Sequence, residues 1–180
     1  MNDSLTVYTL GYGYEGWRGR CQTGRMPITL VPINAQRFPS WQERCHAEYK
    51  ADLITAGETP HAADRHAADS LERAFPAGAP TADNAVFDLV HDTDGTVGYL
   101  WIGRDSSGDD TSWWVWDVVV EPEYRNKSYG RAAMRLAEDH ARAAGASTLG
   151  LSVFGHNEAA RGLYESVGYE TTTVKMRKQL

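Results

Sequence analysis

The stretch from Thr111 to Arg131 constrains the fold more than any other part of this 180-residue chain. Thr111 to Val120 is a near-continuous apolar run carrying Trp113, Trp114, Val115, Trp116 and three valines. Such a run reads as a central strand covered on both faces. Glu121-Pro122 ends it, and a basic, glycine-containing turn leads straight into a helix running to Ala144, with Ala133, Leu136, Ala137, Ala141 and Ala144 on one face. A buried strand that delivers a polar turn onto a helix start makes an anion-binding geometry. The first amide N–H groups of a helix have no intrahelical acceptor, and the helix dipole adds partial positive charge. Arg125, Lys127 and Arg131 supply full charges, and Gly130 lets the backbone come close. By itself the turn is equally compatible with an ordinary polar helix cap carrying exposed basic residues.

The flanking sequence supplies the rest of a layered fold. Ile28 to Ile33 reads as a strand. Ala35 to Ala56 and Thr59 to Phe75 carry helix formers with recurring apolar positions, stopped by Gly57 and Pro76. Ala85 to His91 and Thr96 to Gly103 flank the turn residues Asp92-Thr93-Asp94-Gly95 as a β-hairpin. After the long helix, Gly145 is a stop and Leu149 to Phe154 a further buried strand. Asn157 then caps a short helix with Ala160, Leu163, Tyr164 and Val167 facing inward, Gly168 ends it, and Tyr169 to Lys178 reads as a last strand. The order β, α, α, β, β, β, α, β, α, β is that of an α/β domain. Residues 1–25, with glycines scattered among aromatics and arginines, are expected to be a loosely structured extension, and residues 26–180 a single domain.

Composition narrows the function classes. A net charge of -6 and a pI near 5.5 argue against nucleic acid as a partner and mildly favour the approach of cationic amines. Two cysteines, Cys21 and Cys45, without a CxxC pair point to a reducing cytoplasm and not to a disulfide framework. The six histidines make no HExxH or paired-ligand spacing, so no metal site is expected. No apolar run is long enough for a membrane span, and the N-terminus lacks signal-peptide order, so a cytoplasmic protein without membrane attachment is expected. Six tryptophans leave room for a homodimer interface. Neither a Walker loop nor a GxGxxG after the first strand is present, which sets aside a nucleotide-binding domain of another fold.

Arg125-Asn126-Lys127-Ser128-Tyr129-Gly130 resembles the Arg/Gln-x-x-Gly-x-Gly/Ala pyrophosphate loop of the GNAT superfamily of N-acetyltransferases. Downstream, Asn157-Glu158-Ala159-Ala160-Arg161-Gly162-Leu163-Tyr164-Glu165-Ser166-Val167-Gly168-Tyr169 is similar to that family's Asn-x-x-Ala-x-x-Leu-Tyr-x-x-x-Gly-Phe/Tyr segment. The resemblance implies a mixed, mostly antiparallel central sheet flanked by helices and splayed at the fourth strand. It also implies acetyl-CoA as acetyl donor and direct attack of a primary amine, on a small molecule or a peptide, on the thioester. In that reading Val118, Val119 and Val120 hold the pantetheine chain with their backbone, and residues Arg125, Asn126, Lys127, Ser128, Tyr129, Gly130 and Arg131 hold the pyrophosphate. Asn157 and Ala160 border the pantetheine arm, and Tyr164 matches the general acid that protonates the departing thiolate. Ser128 departs from the pattern's first glycine. It is expected in the first helical turn, where serine is unstrained and its hydroxyl can reach phosphate.

The chemistry of the residues is compatible with these roles. A thiol of pKa ~8.5 leaves more readily when a phenol of pKa ~10 donates to it. Tyr164 also shares a face with Ala160, Leu163 and Val167, which suits a plain core residue. A lysine-like amine of pKa ~10.4 is neutral only about once in a few thousand molecules at pH 7, so a base must help. Asp117, within the apolar strand, and Glu121, at its end, are the base candidates. Asp117 is equally readable as a structural acid satisfying a bulged backbone, and His91 and His156 are weaker bases. The alternative function is a catalytically silent acyl-CoA-binding module.

Overall fold

The computed structural model describes residues 27–178; the expected extension at residues 1–25 lies outside the described residues. Five strands form one sheet in the order β1-β2-β3-β4-β5: β1 Thr29–Pro32, β2 Asn84–His91, β3 Gly95–Arg104, β4 Ser112–Val120 and β5 Thr148–Leu151. The first three pairings are antiparallel and β4 pairs with β5 in parallel. Helices α1 (Phe38–Thr55) and α2 (Pro60–Ala74) follow β1, α3 (Tyr129–Ala143) follows β4, and α4 (Glu158–Ser166) follows β5.

Each face of the sheet has its own core. On one side Trp41 of α1 meets Phe38, Phe75, Tyr99 and Trp101, and Cys45, Leu71 and Val86 fill the same cluster. On the other side the alanines of α3, Ala132, Ala133, Ala137 and Ala141, let the helix lie close on Leu89, Leu100, Ile102, Trp113 and Val115. A fully buried side chain such as Leu100 or Ile102 stabilises by about 2 kcal/mol.

Strand β4 does not alternate evenly. Trp101 pairs with Asp117 while Ile102 pairs with Val115, so Trp116 is an extra residue, a β-bulge. Trp113 and Val115 face α3; after the bulge Asp117 faces α1, and Val118 and Val120 return to the α3 core. The bulge re-aims the carboxylate. It also corrects the expectation that this strand is covered on both faces, because Trp116 is 41% exposed, lying against the rings of Trp101 and Trp114.

The last predicted strand, Tyr169 to Lys178, does not form. Strand β5 stops at Leu151, three residues short of the predicted Phe154, and the tail has no ladder to join. Its apolar residues therefore stand in solvent, with Val174 71% and Met176 88% exposed. Arg177 ties it down by donating to the carbonyls of Ala56 and Gly57 at the end of α1.

Candidate active site

Strands β4 and β5 part company after Val115 and Leu151, the last pair in their ladder. β4 runs on through Val120 without a β5 partner, and this splay opens between the two strands. Val118, Val120, Leu151 and Tyr164 border the same core cluster beneath it, while Val119 packs on the α1 side.

Beyond β4, a 3-10 turn at Pro122–Tyr124 leads to the start of α3. Asn126 and Ser128 both adopt positive φ, 62° and 64°. Ser128 is thus the left-handed N-cap of α3 with no side-chain capping bond, not a residue of the first helical turn as expected. The chain must reverse between strand and helix within few residues, and the left-handed position achieves it whatever residue stands there; in serine it costs about 1 kcal/mol. The consequence is a row of free donors. Among the described residues, the amide N–H groups of Asn126, Lys127, Ser128, Tyr129, Gly130 and Arg131 donate to no protein acceptor; the first paired amide is that of Ala132, which donates to Ser128 O. Such a concave run of amides at a helix start fits a pyrophosphate.

The side chains around that turn are less free than the sequence suggests. Tyr129 is buried and donates its hydroxyl to Asp94 Oδ2 at 3.0 Å, anchoring the turn to the β2–β3 hairpin. Lys127 Nζ lies 3.5 Å from the same carboxylate, Arg125 Nε donates to Val120 O, and Arg131 donates to Ser166 O and Oγ at the end of α4. The small size of Gly130 serves helix packing, since a Cβ there would meet Leu163 Cδ2 at 3.0 Å.

Asn157 caps α4, its Oδ1 accepting from the Ala160 amide at 3.1 Å. Two turns on from the cap, Tyr164 is half-buried against the core, and its hydroxyl has no protein hydrogen-bond partner among the described residues. Burial pushes its phenol above the usual tyrosine range, and the charge of Asp117 pushes the same way.

Asp117 is the centre of a cluster that the sequence analysis did not assemble. Tyr99 Oη of β3 donates to its Oδ2 at 2.6 Å and lies 3.0 Å from Glu48 Oε2 of α1. Cys45 Sγ is 3.7 Å from the same Oδ2. Burial raises the pKa of Asp117, and the nearby charge of Glu48 adds to this; the hydrogen bonds from Tyr99, the Val118 amide and Cys45 partly oppose it. Glu121 has a different environment: Arg44 of α1 grips it through both terminal nitrogens, at 2.5 and 3.1 Å, while its Nε holds Glu48. His91 ends β2 beside Tyr129, and His156 stacks on Phe154 in the β5–α4 loop. Sequence reasoning missed Glu48 and Tyr99 because nothing in an α1 acid or a β3 tyrosine signals which β4 residue it will face.

Residues 38–169 match the Acetyltransferase (GNAT) family. The chain belongs to the GNAT family. It is 30% identical over 156 residues to YycN, an uncharacterised N-acetyltransferase of Bacillus subtilis, spanning 86% of this chain and all of that one. YdgE of the same organism, also an uncharacterised N-acetyltransferase, is 27% identical over a stretch of the same length. A shorter stretch of 61 residues is 34% identical to the ribosomal protein bS18-alanine N-acetyltransferase of Escherichia coli, covering 34% of this chain and 41% of that enzyme. The crystal structure of YycN superposes with a TM-score of 0.78 over 85% of this chain and 98% of YycN, at 29% identity. This GNAT chain is an acetyltransferase, of a family that generally takes its acetyl group from acetyl-CoA and passes it to an amine. No helix among the described residues is long and apolar enough to cross a membrane.

Proposed function

We propose that this GNAT enzyme transfers the acetyl group of acetyl-CoA to a primary amine of a small molecule or a peptide, the amine attacking the thioester directly with no acyl-enzyme. The observation that carries the reading is the run of unpaired amides at residues 126–131, set at the mouth of the splay between β4 and β5. When bound, acetyl-CoA supplies an activated acyl group and a thiolate leaving group. The amides of 126–131 hold its pyrophosphate, with Arg125, Lys127 and Arg131 as the surrounding positive charge. Backbone groups of Val118, Val119 and Val120, freed from β5, line the pantetheine channel, and Asn157 and Ala160 border it from α4. Val118, Val120 and Leu151 exclude water from the channel floor.

Tyr164 is the proton donor in this reading. Its hydroxyl is uncommitted, and its raised pKa keeps the proton in place across the physiological range. Asp117 is the proton acceptor in preference to Glu121. Protonating Glu121 would break a two-pronged ion pair with Arg44, whereas burial already favours the neutral form of Asp117.

The test is thiol release from acetyl-CoA across a panel of amines and short peptides, with the N-acetyl product identified by mass. Thiol release only in the presence of an amine supports direct transfer. A burst of thiol without acceptor would reveal an acyl-enzyme instead, and tight acetyl-CoA binding with no turnover on any acceptor would favour the acyl-CoA-binding module.

A further inference from the structure

One hydroxyl, that of Tyr99, stands between two carboxylates on different elements: Asp117 Oδ2 on β4 at 2.6 Å and Glu48 Oε2 on α1 at 3.0 Å. A phenol has a single hydrogen and can donate to only one of them. With both oxygens at hydrogen-bond distance, the arrangement has room for one additional proton, carried by whichever carboxyl is not accepting from Tyr99. The two ends differ in exposure. Asp117 is sunk beside Cys45 below the bulge, whereas the Glu48 side chain is 43% exposed, with its other oxygen held by Arg44 Nε at 2.8 Å.

We propose that Tyr99 is a positioning residue that couples Asp117 to Glu48, so that the proton removed from the acceptor amine leaves the site through Glu48. This rests on Asp117 being the proton acceptor. The step balances. The amine proton passes to Asp117 Oδ2; that proton then moves to Tyr99 Oη as the tyrosine's own hydrogen moves to Glu48 Oε2; Glu48 releases a proton to water, and the cluster returns to its starting state. No group is oxidised or reduced, and Tyr99 never needs to become a phenolate, which its burial between acids strongly disfavours.

The charged and titratable groups that bear on Asp117 are Glu48 and Cys45 from α1 and Tyr99 from β3, and, added to burial, the charge of Asp117 in turn raises the pKa of Tyr164 on α4. Arg44, 5.4 Å from the centre of the Tyr99 ring, binds Glu48 and Glu121 and steadies the exit end. A coupled arrangement makes two substitutions act in opposite directions. Glu48→Gln removes a negative charge near Asp117, so the acid limb of the kcat/KM pH profile moves to lower pH. Tyr99→Phe removes a hydrogen bond that favours the ionised aspartate, so the limb moves to higher pH. Both variants lose kcat by roughly tenfold, because the proton path is cut in each.

The experiment is the pH profile of thiol release for wild type, Glu48→Gln, Tyr99→Phe, the double variant and Asp117→Asn. Melting temperature and acetyl-CoA affinity confirm that each is folded and loaded. Opposite shifts in the two single variants, with the double variant no slower than the worse single one, support the coupled exit. Equal loss at every pH with an unmoved acid limb would overturn it while leaving Asp117 as acceptor intact. Wild-type activity in Asp117→Asn would remove the underlying reading itself. If Tyr99→Phe does not fold, the Glu48→Gln profile decides alone: an acid limb that stays in place overturns the proposal.

Discussion

Arg44 of α1 and Glu121, the first residue past β4, form a two-pronged ion pair at 2.5 and 3.1 Å, which fastens the helix covering one face of the sheet to the turn that starts the anion cradle. The pair lies on the edge of the site, with the arginine 38% exposed, so solvent screens much of its attraction. Glu121→Gln is expected to cost about 1 kcal/mol or less of stability and to slow acetyl transfer far less than removal of the Asp117 charge. Thermal melting and kcat/KM on the same preparations check both halves, and a loss as deep as that of the Asp117 variant would return Glu121 as the acceptor.

Asp117→Asn is expected to lower kcat/KM by about 10² without destabilising the fold at neutral pH. The sign follows from burial. The folded protein raises the carboxyl's pKa, so its contribution to stability is full below the ordinary aspartate value of about 3.9 and declines as pH rises through the folded value. Asparagine has no such slope. Melting temperatures from pH 4 to 8 should therefore fall less in the variant than in the wild type, and parallel curves would show that the charge is not disfavoured.

Tyr164→Phe keeps the ring against the core and beside Tyr169 and removes only the hydroxyl. The expected result is kcat lower by roughly 10- to 100-fold with acetyl-CoA affinity unchanged. Isothermal titration and steady-state rates separate the two. Unchanged kcat would reduce this tyrosine to a core residue.

Gly130→Asp places a carboxylate at the second position of α3, among the free amides. A negative charge there suits the helix dipole, so the fold should survive a modest adjustment of Leu163, while acetyl-CoA affinity should fall at least about tenfold through repulsion of its phosphates. Circular dichroism alongside a binding titration would detect the opposite pattern, an unfolded protein or undiminished affinity.

Gly98→Ala tests the bulged seam. A Cβ at this position would lie 2.0 Å from the carbonyl oxygen of Val119, and that atom belongs to a strand backbone that cannot swing aside. Destabilisation of about 3 kcal/mol is expected, read by chemical denaturation; a variant as stable as the wild type would mean that β3 and β4 can separate freely here.

Much of this protein is legible in its sequence. The three central strands, the hairpin turn, the helix stops at Gly57, Gly145 and Gly168, and the Asn157 cap depend on local signals: alternating or continuous apolar residues, left-handed glycines and a side chain that bonds its own helix start. The two motifs that carry the family resemblance are local as well, since each occupies one turn and the beginning of one helix. Signals of that range survive in a single sequence because the residues that make them are neighbours in the chain.

The features that only the tertiary structure decided are pairings. Tyr169 to Lys178 has strand-forming residues but no partner edge, so it remains unpaired; a strand exists only where a ladder receives it. The bulge at Trp116 depends on register between β3 and β4, and it alone turns Asp117 from the α3 side to the α1 side. Tyr99 lies 18 positions from Asp117 and 51 from Glu48 along the chain, and the three meet only because the sheet and α1 bring them together. Ser128 takes a left-handed backbone because strand, turn and helix must join in that space, against its own preference. The amino-acid sequence set which segments would be strand, helix and turn; the packing of those segments set which side chains share a proton, because charge and hydrogen bonding act through distance in space and not along the chain.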